Sequence, residues 1–252
     1  MIALLKYEWR KTRTAKLMLL VLAALEELGF LWGILRLEPG GRPDGLIGTS
    51  LFLLFLTAFG GILLIGLQSV LVLQRDLNTK QGYMLFMTPR NSYQILGAKL
   101  LENGLSLAVA GGFFFLLGLL DASLLVGRLG LDQFWNMAKG ALNALDEAFR
   151  FSWDSMLCHV AHILASWLAT VSIAYLAVIV SASLLNGKRF NVFASFVFFI
   201  FLTVLMGRLM HLCTVGVADI DAVLLIRSAI ALGYAVAVYA AAAWIMERHL
   251  SV

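Results

Sequence analysis

MLCHVAHILASWLATVSIAYLAVIVSASLL, residues 156–185, contains no Lys, Arg, Asp or Glu. A helix rises about 1.5 Å per residue, so about 20 apolar residues cross the roughly 30 Å hydrocarbon core of a bilayer. This stretch is long enough to cross, and the chain repeats the pattern on both sides of it. The expected spans are about Leu17–Leu37, Leu46–Leu73, Ile95–Val126, Met156–Leu185, Phe190–Leu212 and Ala222–Met246. The turn-forming EPGGRPDG, residues 38–45, separates the first span from the second, and Asn186-Gly187-Lys188-Arg189 separates the fourth from the fifth. The chain reads as an all-α integral membrane protein with six transmembrane helices, a single transmembrane domain over residues 1–252.

Composition agrees. Apolar residues make up 61% of the 252 residues and charged ones 13%, against roughly 45–50% and about 25% in soluble domains. A formal charge of +4 would suggest nucleic acid in a soluble protein. Here the basic residues border the apolar runs, where they set orientation instead. With the N-terminus in the cytoplasm, that side holds 12 of the 19 Lys and Arg residues, so both termini are expected inside. The basic start followed by an apolar run resembles a signal peptide. The run from Leu17 is too long and has no small-residue cleavage site, so it is expected to be retained. Cys158 and Cys213 are too few for a disulfide framework or a zinc cluster.

Three segments outside the spans have a pattern of their own. In residues 1–16, Ile2, Leu5 and Trp9 share one helical face and Lys6, Arg10, Lys11 and Arg13 the other, which predicts a short helix in the membrane interface. In residues 127–155, Leu131, Trp135, Ala138, Leu142, Leu145 and Phe149 form one apolar stripe, which predicts an amphipathic helix on the outer surface. The third is the cytoplasmic loop 74–94, which mixes charge with apolar Tyr83, Leu85, Phe86 and Met87. Thr88 suits an N-cap and Pro89 the first helical position after it. A short helix with apolar residues on offer predicts a docking surface for a cytoplasmic partner.

The run Gly82–Leu101 carries a resemblance. Thr88-Pro89-Arg90, followed by Tyr93-Gln94-Ile95-Leu96-Gly97-Ala98-Lys99-Leu100-Leu101, is similar to the loop between the second and third spans of exporter-type ATP-binding-cassette (ABC) permeases. The N-terminal LLKYEWRKT resembles the interfacial elbow helix of that family. The lead-in departs from it, with Arg75-Asp76 where many members carry glutamate.

The resemblance implies a permease subunit without enzymatic activity, in a bacterial plasma membrane, paired with a second copy or a similar permease. A separate ATPase subunit would dock on a coupling helix at Tyr83, Leu85, Phe86, Met87, Thr88, Pro89, Arg90 and Ser92, holding the ATP and magnesium. The cargo would be a peptide, antibiotic or lipid-like molecule. The sequence itself has no GxxxxGK[ST] phosphate loop. No nucleic acid, bound cofactor or metal is expected. His159, His162 and His211 lack acidic or thiolate companions at a ligating spacing.

Glu26-Glu27 sits near the middle of the first span, where a carboxylate costs on the order of 2.5–3.5 kcal/mol. One reading places it in a polar pathway, contacting a cationic substrate group. Another pairs it with Arg208, Arg227 or a neutral polar group, or leaves one carboxyl protonated. A secondary transporter or channel would use the pair as an ion or proton site. Arg36, Arg208, Arg227 and Asp121 are expected near outer helix ends, with the arginines snorkelling to the interface. Gly60-Gly61, Gly111-Gly112 and Ala240–Ala243 are expected to permit close helix packing.

Overall fold

A computed structural model of the chain describes residues 2–38, 41, 45–78, 91–136, 139–140, 143, 156–185 and 191–249. Six helices account for nearly all of them: α1 Ile2–Arg36, α2 Gly45–Asn78, α3 Ser92–Leu129, α4 Met156–Leu185, α5 Asn191–Thr214 and α6 Ile220–His249. All six are long and apolar enough to cross a membrane, and each contains one of the expected spans or most of it. Residues 2–36 form one continuous helix, so no break separates the N-terminal amphipathic segment from the span that follows.

Local chemistry sets the helix ends. Gly130 takes φ 84° just after α3, and Gly216 takes φ 86° after α5. Both are left-handed conformations that only glycine adopts cheaply, and they close the last helical turn. At α6, the Asp219 carboxylate accepts hydrogen bonds from the backbone N–H groups of Asp221 and Ala222, at 3.3 and 3.2 Å. These are N-cap bonds, and they satisfy donors that the helix itself leaves free.

The chain falls into two compact units. The first contains residues 1–11, 66–104 and 153–252. Its centre is α4, which buries side chains on every face, Tyr175, Ile173 and Ile179 among them. Apolar residues all round are the mark of an enclosed helix. Against it α6 lays Ala231, Ala235, Val238, Ala242 and Met246, a stripe at helical spacing. By contrast α5 buries only Asn191, Ser195, Met206, Met210 and Thr214. Its Phe193, Phe196, Val197 and Phe201 point outward, a surface suited to lipid rather than water.

Polar pairs pin this apolar packing. The Ser69 and Tyr175 hydroxyls share a buried hydrogen bond. The Trp167 indole N–H donates to Asn103 Oδ1 at 3.1 Å, and Tyr239 donates to the Tyr93 carbonyl at 2.6 Å. Gly66 leaves room for Trp167, because a Cβ there would come within 2.6 Å of the indole Cζ2.

The second unit contains residues 12–65 and 105–152. Its core joins Phe30, Ile34 and Leu37 of α1 to Ile47 of α2 and to Leu125 and Leu129 of α3. Gly61 fulfils the close-packing expectation, since its Cβ would collide with Leu19; Gly60, Gly111 and Gly112 face open space. Residues 131–136 are helical. Leu131 and Trp135 are exposed, while Phe134, off the expected stripe, packs on the core.

The Gly66–Trp167 contact predicts a contrast between two glycines of the same unit. Gly66→Ala should destabilise by about 1–3 kcal/mol through overpacking. Gly104→Ala, with no atom within 4 Å of the new Cβ, should stabilise by roughly 0.5–1 kcal/mol through helix propensity. Thermal unfolding in detergent micelles measures both, and equal effects would count against the packing.

Candidate functional site

Two polar centres interrupt the apolar helices. The first lies in the unit built around α4. Asp76, two residues before the end of α2, is 2% exposed, as is Lys99 on α3, and Glu8 on α1 is 4% exposed. The Asp76 carboxylate accepts from both lysines: Lys99 Nζ at 2.7 Å on Oδ2, and Lys11 Nζ at 2.8 Å on Oδ1. Lys99 also reaches Glu8 Oε2 at 2.9 Å, and Lys11 lies 3.9 Å from Glu8. Two cations and two anions cancel. Mutual neutralisation is the condition on which charges are buried at all.

Position gives this cluster its interest. Asp76 and Lys99 flank the connection between α2 and α3, and the cluster ties both helix ends to the start of α1. A displacement of either end must move the other or break short ion pairs. The arrangement links α2 and α3 electrostatically through the start of α1.

The second centre lies in the other unit. Thr57 of α2 donates its hydroxyl to Glu26 Oε1 at 2.6 Å. The next residue, Glu27, presents its carboxyl to Asp121 of α3. Asp121 is 2% exposed and eight residues before the end of α3, about 12 Å at the helical rise. The helix continues to Leu129, past the Val126 expected from hydropathy.

The other expected site residues are dispersed. Tyr83, Leu85, Phe86, Met87, Thr88, Pro89 and Arg90 lie outside the described residues. Ser92 opens α3 and is buried. Arg208 and Arg227 belong to the unit around α4, whereas Glu26 and Glu27 belong to the other. Arg208 is exposed on α5. Arg227 is half-buried on α6, with its Nε unpartnered. Among the described residues no group of His, Cys, Asp or Glu is arranged to hold a metal ion.

Reading the sequence alone missed the ion-pair cluster and the contact between Glu27 and Asp121. A signal for the first was present. Lys99 sits inside an apolar run and requires a counter-charge, while Glu8 and Lys11 stand one helical turn apart.

Fold and site together define a multi-pass, all-helical membrane protein with two polar centres buried among apolar helices. Compared with protein-family models, curated proteins and solved structures, the chain matches none of them.

The cluster makes a testable claim about charge balance. Asp76→Ala leaves two ammonium groups to share the single Glu8 carboxylate and should cost about 3–5 kcal/mol of stability. Combining Asp76→Leu with Lys99→Met leaves Glu8 and Lys11 as a neutral pair, so the double variant should be more stable than Asp76→Ala. A double variant that unfolds at the same temperature as the single one would refute mutual neutralisation.

Proposed function

We propose that this chain is the membrane-spanning permease subunit of an ABC transporter, working as a dimer and driven by a separate ATPase subunit. Its six apolar helices and the Thr88-Pro89 loop with its lysine-anchored third span support the reading. The observation that carries it is the Glu8–Lys11–Asp76–Lys99 cluster, which braces both helix ends beside the proposed coupling segment.

In this mechanism the ATPase subunits close on ATP and push the segment around Tyr83–Ser92. The ion pairs pass that push to α1, α2 and α3 together, and the spans alternate between inward- and outward-facing states. Coupling requires the motor to contact the two states with different free energies. The cargo reading is a peptide, antibiotic or lipid-like molecule, exported across a bacterial plasma membrane with both termini in the cytoplasm. The intramembrane carboxyls favour a second reading, a secondary transporter or channel that needs no motor.

Co-purification separates the two. The tagged chain, co-expressed with the products of its neighbouring genes, should capture a P-loop ATPase. Phe86→Ala and Met87→Ala should each weaken that capture by roughly 30-fold, the effect of removing an interface anchor worth about 2 kcal/mol. Transport by the purified chain alone in proteoliposomes would overturn the permease reading in favour of the second.

A further inference from the structure

Glu27 on α1 and Asp121 on α3 meet within hydrogen-bonding reach. Both Asp121 oxygens and Oε2 of Glu27 are buried, and no donor among the described residues reaches them. Ionised carboxylates only accept hydrogen bonds. Their contact is therefore cohesive when a proton lies between them, and repulsive when both are charged.

Among the described residues, no donor takes the place of that proton. Glu26, next along α1, adds a third carboxyl, and the Thr57 hydroxyl of α2 is spent on it. Arg36 lies nine residues beyond Glu27, about 13 Å along α1, and stacks on Trp32 at 4.9 Å. Arg128 lies seven residues beyond Asp121, about 10 Å along α3. Lys16 lies eleven residues before Glu27, about 16 Å along the helix. An ammonium group or metal ion would have to enter between carboxyls already within hydrogen-bonding reach of each other.

We propose that Glu27 and Asp121 form a binding site for a single proton, shared between their facing carboxyl oxygens. Both residues lie about 12–14 Å from the C-terminal ends of helices long and apolar enough to cross a membrane. The proton reduces the charge of the pair from two to one in apolar surroundings, where charge is poorly tolerated. Proton uptake and release belong to the pair rather than to either residue. Adding or removing that proton changes the attraction between α1 and α3. The site stands apart from the ATPase-coupling reading, since none of its residues belongs to the ion-pair cluster.

The full chain in phospholipid vesicles, treated with dicyclohexylcarbodiimide, tests the proposal. This apolar reagent modifies protonated carboxyls out of contact with water, and mass spectrometry locates the adduct. At neutral pH the wild-type chain should be modified at Glu27 or Asp121, and the yield should fall as the medium is made alkaline. In Glu27→Gln the new amide N–H₂ donates the hydrogen bond that the proton had provided. Asp121 then ionises, and its modification should fall by about tenfold or more; Asp121→Asn should do the same to Glu27. Absence of any adduct on the wild-type pair would overturn the proposal without requiring a variant to fold. So would unchanged modification of Asp121 in Glu27→Gln. Failure to capture an ATPase would leave this result untouched, so the two readings fail separately.

Discussion

Charge surrounded by hydrocarbon must be neutralised on the spot, and the structure meets that demand in two ways. In the unit around α4, Asp76 receives two ammonium groups and Glu8 takes up the rest of the Lys99 charge. Each group is held by more than one partner, so the start of α1, the end of α2 and the start of α3 form one electrostatic assembly. At the centre in the other unit the groups Glu26, Glu27, Asp121 and Thr57 are acidic or hydroxylic, and the neutralisation proposed is by a hydrogen ion. The first solution fixes geometry; the second makes geometry depend on an exchangeable particle.

The apolar surface follows the same logic. In a bilayer, lipid tails are as apolar as leucine, so helix association relies on shape and polar pairing rather than escape from water. Trp167 fits over Gly66 while its indole N–H is satisfied by Asn103. Tyr175 is enclosed while its hydroxyl is satisfied by Ser69. Each large aromatic thereby fixes both the distance and the rotation of its neighbours. The outward-pointing phenylalanines of α5 impose no such register.

Much of the architecture was legible in the sequence, because hydropathy reports membrane crossing directly. The thirty uncharged residues of α4 and the glycine- and proline-rich turn after α1 suffice to locate those elements. Helix ends were less legible: α3 runs past Val126 to Gly130, since a left-handed glycine ends a helix where hydropathy does not. The polar pairings were least legible. Glu27 precedes Asp121 by more than ninety residues, and periodicity carries no information about contacts at that separation. Lys99 and Glu26-Glu27 announced the need for partners, while only the packing of helices chose them.

The enclosure of α4 has a consequence for how the chain is made. Spans enter the bilayer in order of synthesis, so α4 arrives while the helix that covers its flank, α6, is still unmade. Ser69 and Gly66 on α2 and Asn103 on α3 are already in place for Tyr175 and Trp167. The flank that α5 and α6 cover meets lipid until those helices have emerged. Biogenesis therefore passes through a five-span stage in which the flank of α4 that α6 later covers is still open.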